Sequence, residues 1–142
     1  MGAEKSHAEE ALQLKNILAQ LYRDELPIEQ VVSLLRSDSS LVRANACLSV
    51  SRQAAHQDNL IGNLIEAVDD PRNSEHIMGW RISDLAVAAL LSVRTANADT
   101  SALQIIKHWP QNNRYDVLSW VKRLDLMEPH DLASYESRRK VR

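Results

Sequence analysis

The stretch IMGWRISDLAVAALLSVR, from Ile77 to Arg94, decides the fold of this 142-residue chain. After a Gly-Trp step it consists almost entirely of small and aliphatic residues. Alanine and leucine favour helix, and a helix without a continuous polar face is buried on more than one side. We therefore predict a helix over this stretch that lies between its neighbours. Its expected contact residues are Leu85, Ala86, Ala89, Leu90 and Val93.

Six further segments carry apolar residues at three- and four-residue steps, which is the period of an amphipathic helix. They run over 6–23, 28–36, 37–53, 59–68, 97–110 and 112–124. Asp38, Ser39 and Ser40 are candidate N-caps of the third segment, and Asp99, Thr100 or Ser101 could cap the sixth. No segment shows strand-like alternation, so the sequence predicts an all-α fold. We expect residues 1–127 to form a single domain and residues 128–142 a loosely ordered tail with a basic end.

The charge of the chain is unevenly distributed. The full chain has 17 basic and 19 acidic residues, and four of the bases lie in the last five residues, RRKVR. Residues 1–137 contain the other 13 bases and all 19 acids, so they carry a net charge of −6. A phosphate backbone is bound by clustered lysines and arginines. The composition therefore makes nucleic acid an unexpected partner and favours a basic one.

Two segments repeat the same pattern 40 residues apart. Val42-Arg43, Ala46 and Val50 correspond to Ile82, Ala86 and Leu90, each set following an Asp-rich polar turn. A small residue between two aliphatic ones allows a neighbouring helix to approach closely. This pattern resembles the HEAT-like repeat family, although Ser83 stands in place of the arginine in the second copy. The resemblance implies a short right-handed α-solenoid of about seven helices in stacked antiparallel pairs.

The same resemblance implies where a partner would bind. In HEAT-like solenoids the second helix of each pair lines the concave surface, which here corresponds to residues 28–36, 59–68 and 101–109. The non-core positions of these helices are Gln30, Ser33, Asn63, Glu66, Gln104, Lys107 and His108. The long loop DPRNSEHIMG, which contains Arg72, is a further candidate. Trp80, Trp109 and Trp120 lie near predicted helix ends and are interpreted either as binding residues or as lids on the core. Trp80 and Trp109 are assigned to the candidate partner surface.

The sequence gives no catalytic or metal-binding motif. The five histidines are scattered, and none has a second ligand at a suitable spacing. Cys47 is the only cysteine and is flanked by Ala46 and Leu48, so we expect a buried structural thiol. Neither a Gly-x-Ser-x-Gly motif nor a glycine-rich phosphate loop occurs. We predict no catalytic site, no metal and no cofactor.

These observations favour a non-enzymatic protein-protein interaction module, acting as an adaptor, a scaffold or a neutralising binder of another protein. The alternative is a nucleic-acid-binding or DNA-repair HEAT-like protein, and a bilin lyase-like protein is a minor alternative. We expect a cytoplasmic location, because the chain has one cysteine, no signal-like start and no apolar run long enough to span a membrane. The apolar closing helix over 112–124 could also pair two copies into a homodimer.

Overall fold

The computed structural model describes residues 7–54, 57–77 and 79–126. Within these ranges the fold is helical, as predicted, with a single two-stranded ladder. The helices are α1 (His7–Tyr22), α2 (Ile28–Leu34), α3 (Ser40–Ala54), α4 (Asn59–Asp69), α5 (Ile82–Val93), α6 (Ala96–Ile106) and α7 (Gln111–Leu126). A 3-10 helix (Pro71–Ser74) and two short strands, β1 (His76–Ile77) and β2 (Trp80–Arg81), lie between α4 and α5. The predicted tail over 128–142 lies outside the described residues.

The helix starts follow their local capping residues. Of the three candidate caps of α3, the structure selects Ser39, whose Oγ accepts a hydrogen bond from the backbone N–H of Val42 at 3.3 Å. The prediction for the start of α6 was wrong, because Thr95 caps this helix by accepting from the N–H of Ala98 at 3.2 Å. Thr95 follows Arg94, whose left-handed φ of 66° ends α5. Helix α6 therefore starts directly after Arg94, where the Thr95 hydroxyl is available as its cap.

The first residues of the stretch that decides the fold are not helical. Ile77 pairs with Trp80 and His76 with Arg81 in an antiparallel ladder. Gly79, at φ 89°, permits the tight turn between them. The expectations of a helix from Ile77 and of no strand were therefore wrong. Helix α5 begins at Ile82, after Arg81 adopts an extended backbone.

Helix α5 is the centre of the molecule. Every residue from Ile82 to Leu90 is buried, and Ala86 is fully buried. The helix packs against α3, α4, α6 and α7. The predicted burial of Leu85, Ala86, Ala89, Leu90 and Val93 is confirmed.

The other helices surround this centre in a regular order. Helix α1 packs against α3, α3 against α5, and α5 against α7. Helix α2 packs against α3, α4 against both α3 and α5, and α6 against α5. The outermost helices keep large apolar side chains in solvent, namely Leu12 and Tyr22 on α1 and Tyr115 and Leu118 on α7. Among the described residues, no helix has the length and apolarity needed to cross a membrane.

Candidate partner-binding surface

A small groove lies between α2 and α4. It is lined by Val32, Leu35, Arg36, Asn63, Glu66, Ala67 and Asp70 and has a volume of about 90 Å³. Sites for small-molecule ligands usually measure about 300–1,000 Å³. The α2–α4 groove therefore has room for a protruding side chain rather than for a whole substrate.

The helical period explains the character of this groove. On α4, Asn63, Glu66 and the capping residue Asp70 recur at steps of three and four, so they lie on one side of the helix. Ala67 lies beside them but is buried, and with Leu35 it gives the groove an apolar floor. The result is an apolar floor with a polar rim, which is the usual composition of a protein interface.

Two charged residues stand opposite each other on the rim. The Nη1 of Arg36 lies 3.6 Å from the Oε2 of Glu66, and the two side chains are 66% and 69% exposed. An ion pair this exposed is screened by water and contributes little to stability. Both groups therefore remain available to an incoming partner.

Arg72 joins one end of the groove to the end of α2. Its guanidinium donates to the carbonyls of Arg36 at 3.2 Å and Ser37 at 3.4 Å, and to the Asp70 carboxylate at 2.9 Å. A further ion pair links it to Asp38 at 3.5 Å. The hydrogen bond from Arg72 holds the pKa of the Asp70 carboxyl below its ordinary value. Arg72, predicted as a partner contact, is thus an internal bridge that is still partly exposed.

A buried polar network fixes the same two helix ends from inside. The Nε–H of Arg43 donates to the Oδ1 of Asn73 at 2.8 Å, and its Nη1 donates to the carbonyl of Ser37 at 2.8 Å. The Nδ2 of Asn73 donates to the carbonyl of Ala67 at 2.8 Å. Arg43 and Asn73 are both buried. Together they tie the end of α2, the start of α3 and the end of α4 into one unit.

A second cluster lies where β2 meets α6 and α7, and we call it the tryptophan–arginine cluster: Trp80, Arg81, Trp109, Trp120 and Arg123. The ring centroids of Trp80 and Trp120 lie 4.8 Å apart in an edge-to-face arrangement. The guanidinium of Arg81 lies 4.8 Å from the centroid of Trp109, and that of Arg123 lies 5.2 Å from the centroid of Trp120. All three indoles are half-buried and pack against the core.

Arg81 is the anchor of this cluster. Its Nη2 and Nε donate to the Oδ1 of Asp84 at 2.6 Å and 3.1 Å. The Oδ2 of Asp84 accepts from the backbone N–H of Arg81 at 3.2 Å, so the pair also caps α5. Asp84 is fully buried, and Arg81 is the counterion that makes this burial tolerable.

The predicted site residues fall into two groups. Asn63 and Glu66 line the α2–α4 groove, and Arg72 closes its end. Trp80 and Trp109 belong to the tryptophan–arginine cluster. The remaining predicted residues are exposed, and they are Gln30 and Ser33 on α2, Gln104 on α6, and Lys107 and His108 just after it.

Sequence reasoning missed the residues that complete both surfaces. Arg36 and Asp70 join the groove, and Arg81 and Arg123 join the cluster. Trp120 was considered with the other tryptophans but not assigned to the partner surface, and it also belongs to the cluster. A signal for Arg36 was present, since it follows Val32 by four residues within the predicted helix over 28–36, although the structure ends α2 at Leu34. No local pattern indicated that Trp120 would meet Trp80, because this contact spans 40 residues of chain.

Cys47 is fully buried, as predicted. Burial raises the pKa of its thiol to about 12, and the nearby Arg43 offsets only part of this effect. A thiol that stays protonated at neutral pH is a poor nucleophile and a poor metal ligand. Within residues 7–54, 57–77 and 79–126, no group of three or more histidines, cysteines and acids is placed to hold a metal ion.

In comparisons with known proteins, no protein family, no curated protein and no solved structure matched this chain. Function is therefore inferred from the two surfaces themselves.

Proposed function

We propose that this protein is a non-enzymatic binding module that holds another protein in the α2–α4 groove, as an adaptor, a scaffold or a neutralising binder. The observation that carries the proposal is the groove itself. Asn63 and Glu66 were assigned to a binding surface from the repeat pattern, and they line a groove with an apolar floor and a charged rim. The volume of about 90 Å³ suits a side chain of a protein partner.

The order in which the helices pack supports a HEAT-like α-solenoid. Helices α1, α3, α5 and α7 pack one against the next in the order of the sequence. Helices α4 and α6 both pack against α5. Stacked helical pairs produce this succession, since each pair contacts mainly the next. In such a solenoid α2, α4 and α6 form the inner layer, and the groove between α2 and α4 lies on the binding surface.

The charge of the molecule favours a basic partner. Residues 1–137 carry a net charge of −6, and Glu66 stands exposed on the groove rim. Complementary charges raise the rate of association and make it sensitive to salt. A basic side chain of the partner would compete with Arg36 for the Glu66 carboxylate. A cytoplasmic location is part of the proposal, and the single cysteine of the chain is in keeping with a reducing compartment.

The test is affinity capture from native lysate at low and at high salt. The wild type is compared with Glu66→Lys and with Glu10→Lys, which makes the same charge change on an exposed position of α1. We expect the wild type and Glu10→Lys each to capture one protein in stoichiometric amount. Glu66→Lys should not capture this protein. Equal recovery by both variants, or capture of nucleic acid alone, would contradict the proposal. Thermal melting of the variants confirms that each is folded.

Among the described residues, the feature that favours nucleic-acid binding is the tryptophan–arginine cluster, because aromatic side chains next to basic ones can stack on nucleotides. However, guanidinium groups cover Trp109 and Trp120, and the indoles pack against the core. Few ring faces are left for stacking. A labelled duplex that is retarded by this protein at low salt would restore the alternative.

A homodimer is a further part of the proposal. Tyr115 and Leu118 are 71% and 59% exposed and lie three residues apart on α7. A terminal solenoid helix without a polar outer face can pair with a second copy. Sedimentation of the wild type and of Leu118→Glu would distinguish monomer from dimer.

A further inference from the structure

We infer that the tryptophan–arginine cluster is a second interaction surface, which binds an acidic peptide segment of a protein. This inference does not depend on the α2–α4 groove. It rests on the distribution of charge along the chain, the geometry of Arg123 and the partial burial of the three indoles.

Charge divides the chain into two regions. Residues 7–99 contain 8 basic and 13 acidic residues, a net charge of −5. Residues 100–126 contain four bases and two acids, a net charge of +2, and the bases are Lys107, Arg114, Lys122 and Arg123. This part of the chain therefore carries net positive charge on an otherwise acidic molecule.

Arg123 is held in a geometry that suits a carboxylate. Its guanidinium lies 5.2 Å from the centroid of Trp120, and the side chain is exposed. A cation over an indole face is restricted in its motion, so less entropy is lost when it binds a ligand. The planar guanidinium can then donate two parallel hydrogen bonds to one carboxylate. Arg81 cannot do the same, because its donors are engaged by the buried Asp84.

The neighbouring residues extend this positive surface. Arg81 links Trp109 to Trp80, and Trp80 contacts Trp120, so the cluster is continuous from the end of α6 to α7. Lys107 and His108 are exposed directly before Trp109. An extended acidic segment could therefore meet Lys107 at one end of the cluster and Arg123 at the other.

The observations favour a peptide over a nucleic acid. Nucleotide bases bind such clusters by stacking on open indole faces. Here one face of Trp109 and one of Trp120 are covered by guanidinium groups, and the indoles pack against the core. Individual carboxylates, in contrast, need only the exposed edge of Arg123.

The three indole N–H groups provide a direct experiment. All three tryptophans of the chain lie in the cluster. Every indole signal in a ¹⁵N–¹H spectrum of the full chain therefore reports on this surface. Each signal is assigned with a Trp→Phe variant. The protein is titrated with an alternating Asp-Glu decapeptide, with the matching Asn-Gln decapeptide, and with a ten-nucleotide thymidine strand.

We expect a saturable shift of the Trp120 indole with the acidic decapeptide and none with its amide counterpart. Arg123→Gln should weaken binding about tenfold, as expected for the loss of a charged hydrogen-bond donor. The affinity of Arg123→Lys should lie between those of Arg123→Gln and the wild type, since lysine keeps the charge but loses the planar donor pair. Lys15→Gln, which removes an exposed charge on α1, should bind like the wild type.

Three results would overturn the inference. They are the absence of a saturable shift, equal binding by Arg123→Gln and the wild type, and tighter binding of the thymidine strand than of the acidic decapeptide. Glu66→Lys serves as a further control. It alters the α2–α4 groove, so it should leave the decapeptide titration unchanged whether or not the groove binds a protein.

Discussion

At the scale of single residues, Ala86 shows how a small side chain determines a packed structure. It is fully buried in the middle of α5, which packs against four other helices. A methyl group at this position lets a neighbouring backbone approach closely. The sequence allowed this role to be predicted, because the residue recurs 40 positions after Ala46 within the same aliphatic pattern.

Replacing Ala86 with leucine should overpack the contact and reduce the free energy of unfolding by about 1–3 kcal/mol. Urea denaturation followed by circular dichroism measures this change. Ala11→Leu on the exposed side of α1 is the matched control, with an expected change within about 0.5 kcal/mol. Equal midpoints for Ala86→Leu and the wild type would count against close packing at this position.

At the scale of helices and turns, local signals were read correctly where one residue decides the geometry. Pro71 follows the end of α4 as expected from its chemistry, and Ser39, one of three candidate caps, caps α3. The start of α5 was misplaced because apolar composition extends through the turn at Gly79 into the short ladder. Composition alone does not distinguish a strand pair of two residues from the first turn of a helix.

Connections between elements were harder to predict. Arg43 belongs to the repeat pattern, but its partner Asn73 lies 30 residues away in the loop before β1. No local spacing relates the two, since the contact exists only after α3 and α4 have packed. The network nevertheless sets the relative position of α2 and α4, and therefore the shape of the groove between them.

Asn73→Ala should be strongly destabilising for this reason. It leaves the Nε–H of Arg43 and the carbonyl of Ala67 without their partner, which should cost about 2–4 kcal/mol in the free energy of unfolding. Chemical denaturation gives the value, with the exposed Asn16→Ala on α1 as the control. A loss below about 0.5 kcal/mol would show that the network does not hold the helix ends together.

At the scale of the whole molecule, the two surfaces differ in charge. The α2–α4 groove carries Glu66 and Asp70 on an acidic part of the chain, whereas the tryptophan–arginine cluster adjoins a part of the chain with net positive charge. The sequence predicted both sets in part, because exposed positions on second helices and tryptophans at helix ends can be identified locally. It did not show that they form two separate surfaces, since grouping depends on contacts between distant segments.

The central claim, that the α2–α4 groove holds a protein partner, is tested most directly by site-specific photo-cross-linking. A diazirine-bearing amino acid replaces Asn63 in the groove or, as the control, Asn16 on α1, and each protein is irradiated in native lysate. The account predicts one dominant cross-linked protein from position 63, absent from position 16 and lost when Glu66→Lys is added. The same products from both positions, or none from position 63 while the wild type still captures its partner, would contradict it.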